Sequence, residues 1–211
     1  MSDTRVLDAI DLGADWAVKD AAAEEPPPDM SRLTGLERIL AEGGSAWRLA
    51  VYSSPPRGGL ERRVDEAVTT AARETMSASG RAGQYLAQAW NEAYGRDPSP
   101  GEAYRHAVRA VEVAAIPVVI PNDGSATLGK VITAMRDAPQ KWSATLSPSD
   151  GSDPVEVVRG MCELLWRSQW DRHGVPDASV PFDVSSEEAE AAVHLATTLV
   201  QWFTGGTVKP R

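Results

Sequence analysis

The chain has 211 residues, of which 42% are hydrophobic and 24% charged, and its formal net charge is −9. This length and balance predict one globular domain, with or without an appendage, that buries a core. The acidic balance argues against a protein that coats nucleic acid, because nonspecific binding to a polyanion requires many lysine and arginine contacts. No apolar run is long enough to span a bilayer, so no membrane segment is predicted.

Cys162 is the only cysteine of the chain. An intramolecular disulfide is therefore impossible, and the apolar neighbours of Cys162 predict a buried thiol. The N-terminal residues show no basic region followed by an apolar stretch, so no signal peptide is indicated. We therefore expect a cytoplasmic protein.

The first 59 residues predict two short segments before the main fold. Residues 1–31 hold eight acids against two basic residues and end in a linker with three consecutive prolines. They predict an acidic leader, with a weak amphipathic helix over 8–19, that is dispensable for the rest of the fold. Residues 32–59 predict a helix and then a short strand over 47–52. Residues 53–59 are rich in proline and glycine and predict a break in the secondary structure.

Residues 60–206 predict a helical bundle. Apolar residues recur every three to four positions from Leu60 to Gly95, and again in segments opened by Ser99, Thr127, Asp153 and Ser185. Ser99 and Ser185 each begin a capping-box pattern. Four or five amphipathic helices must bury their apolar faces against each other. The fold class is therefore predicted as all-α, an antiparallel bundle of four to five helices with an N-terminal extension.

The end of the penultimate helix carries the main candidate site, formed by Arg167, Asp171, Arg172 and His173. Arginine can bind a phosphate through two parallel hydrogen bonds, and histidine exchanges protons near neutral pH. Positions six apart lie about 120° from each other in a continuous helix, so Arg167 and His173 meet only if the helix ends early. Asp171 could orient or neutralise one of the cations. The alternative is that these cations only stabilise a helix C-terminus.

A second segment, 124–131, resembles a phosphate-binding P-loop, with two glycines and Lys130 before a helix. Val131 stands where that motif needs a Ser or Thr to hold magnesium. We therefore expect a turn at Gly124 and a helix cap at Thr127 instead. The three histidines are far apart in sequence and have no cysteine partner at ligand spacing, so neither a metal site nor a cofactor is predicted. His194 is expected to be a half-buried histidine of the last helix.

Three parts of the chain together resemble HEPN-type proteins, in particular those of bacterial abortive-infection systems. The first is Arg167, followed after five residues by His173-Gly174. The second is the later helix with Ser185-Ser186-Glu187-Glu188-Ala189 and Ala192-Val193-His194. The third is the earlier helix that contains Ala107-Val108-Arg109-Ala110-Val111-Glu112. The resemblance extends over about residues 60–205.

This resemblance implies a bundle that pairs about a two-fold axis, so that both copies of the Arg/His pair line one cleft. Many members are metal-independent ribonucleases of phage defence or toxin–antitoxin growth arrest. By this resemblance His173 would act as general acid or base, and Arg167 would hold the scissile phosphate. The products would be a 2′,3′-cyclic phosphate and a 5′-hydroxyl. Arg172 is an alternative partner for His173, and Arg105 and Arg109 are the expected RNA contacts.

A second interpretation is a non-catalytic helical module that binds another protein. The overall acidity supports it, because the acidic leader could bind a basic partner. The expected partners are thus a transient RNA substrate, a second copy of the chain, and an antitoxin or regulatory protein. Arginines that converge on one cleft would favour RNA, whereas arginines in separate surface ion pairs would favour the module.

Overall fold

A computed structural model describes residues 3–23, 31–53, 56–146, 148–149, 151–167 and 184–211. These residues are mostly helical, which confirms the predicted helical class. The chain divides into two compact units, Met1–Glu66 with Tyr94–Pro98, and Ala67–Ala93 with Ser99–Arg211. None of the helices in the described part of the chain is long and apolar enough to cross a membrane.

The first unit consists of two helices and a β-hairpin. Its helices are α1 (Asp3–Ala23) and α2 (Ser31–Glu42). Strands β1 (Trp47–Ser53) and β2 (Pro56–Arg62) pair antiparallel, with Leu49 opposite Leu60. The helix expected over 8–19 is part of α1, which is longer than predicted at 21 residues and packs on β2. The predicted break is wrong for residues 56–59, and the helical pattern predicted from Leu60 onward is wrong for residues 60–62. All of these residues belong to the second strand of the hairpin.

Two aspartates attach α1 to the outer edge of β2. Asp11 Oδ1 accepts a hydrogen bond from the amide of Leu60 at 2.5 Å, and Asp15 Oδ1 accepts one from the amide of Gly58 at 3.3 Å. Alternate amides of a strand point to the same side, and residues four apart share a face of a helix. The spacing of the aspartates on α1 therefore matches the spacing of the edge amides of β2.

Gly58 and Gly59, which predicted a break in the secondary structure, instead allow α1 to pack closely on β2. A Cβ atom on Gly58 would collide with the carbonyl of Ala14 on α1. A Cβ atom on Gly59 would lie 2.9 Å from Asp11 Oδ1. Strand glycines often mark places where another backbone approaches closely, and here the approaching backbone is that of α1.

Two further carboxylates stabilise the hairpin. Glu37 of α2 accepts a hydrogen bond from the amide of Leu49 at 2.7 Å and pairs with Arg63 at 2.9 Å. Glu61 is buried and pairs with Arg48 at 2.8 Å. A buried carboxylate requires a partner because desolvation of a lone charge is costly. These four carboxylates of the first unit therefore stabilise its own structure.

The second unit contains six described helices. They are α3 (Glu66–Ala78), α4 (Gly80–Tyr94), α5 (Pro100–Val119), α6 (Leu128–Asp137), α7 (Pro154–Arg167) and α8 (Ser186–Thr204). A 3-10 turn, Pro139–Lys141, leads into a small antiparallel sheet of β3 (Trp142–Ala144) and β4 (Val208–Pro210). α5 packs on α6, α7 and, most extensively, α8. The arrangement specific to HEPN proteins stays a prediction.

The core of this unit lies around α5. Its fully buried large side chains include Leu86, Trp90, Val111, Leu128, Met135, Leu165 and Leu199. Cys162 is also fully buried, as predicted, and burial raises the pKa of its thiol to about 12. A thiol in apolar surroundings is chemically inert at neutral pH.

The helix boundaries follow the predicted signals with two exceptions. The capping box of Ser185 forms, since its hydroxyl accepts from the amide of Glu188 at 3.2 Å and the Glu188 carboxylate accepts from the amide of Ser185 at 2.9 Å. The box predicted at Ser99 does not form, because the amide of Ser99 donates to the carbonyl of Glu92 at 2.8 Å and Glu102 pairs with Arg105. α5 also continues through Pro117, although proline ordinarily ends a helix, and its last residue is Val119.

We expect the Gly58→Ala variant to lower the free energy of unfolding by about 1–3 kcal/mol, because the added methyl group meets the backbone of α1. Gly13→Ala is the matched control, since a Cβ atom on this glycine of α1 meets nothing within 4 Å. That variant should be neutral or more stable by up to about 1 kcal/mol, because alanine favours helix. Urea denaturation measures both, and equal effects would contradict the close packing of α1 on β2.

Candidate functional site

The residues that the sequence placed at the catalytic centre fall at the edge of the described structure. α7 ends at Arg167, whose side chain lies outside the described residues, as do Asp171, Arg172 and His173. The end of α7 is nevertheless attached to α5, because the hydroxyl of Tyr104 donates to the carbonyl of Leu165 at 2.9 Å. Arg167, the first of the predicted catalytic residues, therefore follows by two positions the carbonyl of Leu165, which is hydrogen-bonded to α5.

The two expected RNA contacts on α5 each have an acidic partner one turn away. Arg105 pairs with Glu102, and both side chains are about half exposed. Arg109 pairs with Glu112. The Arg105–Glu102 pair is weak, since an exposed intrahelical ion pair contributes about 0.3–0.5 kcal/mol. Arg105 and Arg109 therefore lie in separate ion pairs on the same helix.

Glu112 connects α5 to the start of α6. Its side chain is 6% exposed, although glutamate is rarely buried without a partner. Its Oε2 accepts a hydrogen bond from the amide of Leu128 at 2.9 Å, and its Oε1 binds Arg109. Leu128 is the first residue of α6, and helix N-termini favour negative charge. Arg109 thus neutralises a buried structural carboxylate.

Arg109 also belongs to a group that sequence reasoning missed, the cationic–aromatic cluster of Arg81, Tyr85, His106 and Arg109. The guanidinium carbons of Arg81 and Arg109 lie 5.9 Å and 5.8 Å from the centroid of the Tyr85 ring. The His106 ring stacks on Tyr85 with a centroid distance of 6.3 Å. The available signal was the pairing of Arg81 with Tyr85 four residues apart on α4.

The cluster changes the acidity of its phenol. Hydrogen bonds from Arg81 and then from Arg109 lower the pKa of Tyr85, because both cations stabilise the phenolate. The hydrogen bond with Tyr85, followed by the charge of Glu112, raises the pKa of Arg109. Nδ1 of His106 is buried and has no hydrogen-bond partner among the described residues.

These side chains offer phosphate binding and proton transfer on one surface of the second unit. Guanidinium groups bind phosphate oxygens, while imidazole and phenol groups exchange protons. Within the described residues, no three potential ligands are grouped to hold a metal ion. His194 is half-buried as predicted, and burial lowers its pKa. Its ring meets that of Trp90 edge-on, with the two ring centroids 5.9 Å apart.

The segment that resembles a P-loop forms a turn and a helix cap, as predicted. Lys130 Nζ binds Asp123 at 2.9 Å and Ser125 Oγ at 2.6 Å, so the lysine bonds to its own loop. The Thr127 hydroxyl accepts from the amide of Lys130 at 3.4 Å and caps α6. Gly129 leaves room for Trp166, since a Cβ atom there would lie 2.6 Å from the indole ring.

The chain matches no protein-family model, and no curated protein or solved structure shows significant similarity to it. The resemblance to HEPN proteins therefore rests on the residues of the chain itself.

We expect the Lys130→Met variant to raise the pKa of Asp123 from about 2 toward 3.8, because the hydrogen bond from Lys130 is the largest cause of the shift. A carboxyl with a depressed folded-state pKa stabilises the fold above its unfolded value, and this contribution is lost as the pH falls toward 2. Carboxyl NMR titration measures the pKa. Lys209→Met should leave Asp123 unchanged, and an unshifted Asp123 in the Lys130 variant would contradict the contact.

The Arg81→Gln variant should raise the pKa of Tyr85, because Arg81 makes the largest contribution that stabilises its phenolate. Ultraviolet titration of tyrosinate measures this pKa, with the Tyr85→Phe variant identifying the signal. Arg105→Gln is the matched control, since Arg105 pairs with Glu102 rather than with the phenol. Identical tyrosine titrations in the wild type and the Arg81 variant would contradict the described cluster.

Proposed function

We propose that the protein binds RNA and cleaves its phosphodiester backbone without a metal ion, leaving a 2′,3′-cyclic phosphate and a 5′-hydroxyl. The observation that carries this proposal is the cationic–aromatic cluster, in which two guanidinium groups and an imidazole surround one phenol. Such a surface supplies charge and hydrogen-bond donors for a phosphate. The role we propose is phage defence or growth arrest in the cytoplasm.

Arg81 is the arginine of the cluster best suited to an RNA phosphate. No carboxylate of the described residues forms an ion pair with Arg81, whereas Arg109 is bound to Glu112. A phosphate oxygen can replace the Tyr85 hydroxyl as the acceptor of the Arg81 guanidinium, gaining a charge-assisted bond. Arg109 then holds Tyr85 in position, and Arg105 contributes only after it leaves Glu102.

The cleavage step is assigned to the segment that follows α7. His173 takes the proton of the ribose 2′-hydroxyl, whose oxygen forms a bond to phosphorus while the bond to the 5′-oxygen breaks. The leaving oxygen gains a proton from the histidine of a second copy or from water. Arg167, with Arg172 as the alternative, stabilises the charge on the phosphate, and Asp171 orients one of these cations. A homodimer supplies both copies of this segment to one cleft.

The cleavage test compares the wild type with the His173→Ala variant on total RNA in EDTA. The wild type should yield fragments with cyclic phosphate ends, which mass spectrometry identifies. The variant should be slower by about 10²–10⁴-fold, as expected for loss of a general acid or base. Equal cleavage in both proteins, or none in either, would remove the catalytic claim.

The contribution of Arg81 to binding is tested in the His173→Ala background, where RNA stays intact. Arg81→Gln should weaken RNA binding and lower the slope of log affinity against log salt by about 1, as for one lost phosphate contact. Arg136→Gln is the matched control, because Arg136 lies on α6 and pairs with Asp137. The same loss in both variants would point to general charge rather than to the cluster.

A second candidate function is a helical module that binds another protein without catalysis. The ion pairs of Arg105 with Glu102 and of Arg109 with Glu112 favour it, because paired arginines bind RNA less readily. On this view an antitoxin or regulatory protein is the partner and RNA is not. The two assays above separate the candidates, since the module predicts neither cleavage nor any effect of Arg81→Gln.

A further inference from the structure

The second unit contains a pocket between α3 and α8 that the proposed function does not use. Its volume is about 190 Å³. It is lined by Glu74, Thr75, Ala78, Ser79, Gln201, Thr204 and Gly205. We propose that this pocket binds a protonated primary amine.

The pocket has a buried floor and an exposed rim. Thr75 and Ser79 on the floor are 5% and 9% exposed. Glu74, Gln201 and Thr204 on the rim are exposed. A ligand that enters therefore meets a carboxylate and an amide first and hydroxyl oxygens beneath them.

The hydroxyl protons of the pocket are already used within the protein. Thr75 donates to the carbonyl of Ala71 at 2.9 Å, and Thr204 donates to the carbonyl of Val200 at 2.8 Å. Ser79 Oγ lies 3.0 Å from Thr204 Oγ1. Because a hydroxyl has one proton and that of Thr204 is already donated, Ser79 must be the donor of this bond. The three hydroxyls therefore offer only acceptor lone pairs to a ligand.

The remaining polar groups favour a cation. Glu74 is the only charged side chain among the lining residues, and an ionised carboxylate only accepts hydrogen bonds. The Gln201 side chain has both an amide oxygen that accepts and an amide nitrogen that donates, so it can turn its oxygen toward a donor ligand. An ammonium group has three donors and no acceptor, so it matches an acceptor-rich pocket with one negative charge. Phosphate has the opposite properties, so this ligand is unrelated to the RNA proposed above.

The binding test uses n-butylammonium chloride, with n-butanol as the neutral probe of similar size and shape. The ammonium should shift the NMR signals of Thr75, Ser79 and Thr204 with a dissociation constant of about 1 mM, as few atoms make contact. The alcohol should cause no saturable shift. Equal affinity for the two probes, or no saturable shift with the ammonium, would overturn the proposal.

Two variants identify the groups that bind. Glu74→Gln should weaken n-butylammonium binding by at least about tenfold, because a charge-assisted hydrogen bond is lost. Glu66→Gln, the same change on the same helix but outside the lining residues, should leave the affinity unchanged. Thr204→Val should weaken binding and Thr204→Ser should restore it. Full affinity in the Glu74 variant would overturn the assignment.

The natural source of the amine is distinguished by two further probes. One is 1,4-diaminobutane, which represents free polyamines, and the other is a lysine residue blocked at both ends, which represents a side chain of a partner protein. Tighter binding of the diamine supports a small-molecule site, and tighter binding of the blocked lysine supports docking of a protein. Failure of both to bind would overturn the proposal, whatever the outcome of the RNA assays.

Discussion

The buried carboxylate of Glu112 is the constraint on which the candidate site depends. Its carboxylate accepts from the first amide of α6 and binds Arg109, so one side chain links α6 to the cationic–aromatic cluster of α4 and α5. A carboxylate in the interior needs such partners, because its desolvation is otherwise uncompensated. α6 in turn places Gly129 against Trp166, near the end of α7. The position of this buried charge thus affects both the cluster and the packing of α6 against Trp166 of α7.

The arginines of the second unit differ in whether a carboxylate of the described residues already pairs with their guanidinium group. Arg109 and Arg105 balance glutamates of their own helix, and Arg159 balances both Glu156 and Glu163. Arg81 has a phenol rather than a carboxylate as its described partner. The net charge of −9 therefore does not describe the local surface. A local cation surrounded by internally compensated pairs is compatible with a brief encounter with RNA, and it limits nonspecific binding.

The acidic residues of the first unit have a structural use that composition could not reveal. Asp11 and Asp15 accept hydrogen bonds from the edge of a hairpin, and Gly58 allows the helix to come close enough for them. Covering an edge strand with a helix also protects it from pairing with other chains. Negative charge that suggests a solvated leader can equally be a set of acceptors for backbone amides.

Residue order was enough to predict the helical class, the strand over 47–52, the cap at Ser185, the turn and cap of 124–131 and the burial of Cys162. Periodicity, capping and the burial of small apolar residues are local properties. The folded chain was needed to show that residues 56–59 form a strand and that Glu112 is buried. It was also needed to show that one surface holds Arg81, Tyr85, His106 and Arg109. Those outcomes depend on which elements pack together, since residues from α4 and α5 become neighbours only through packing between helices. Sequence spacing carries no record of such long-range contacts.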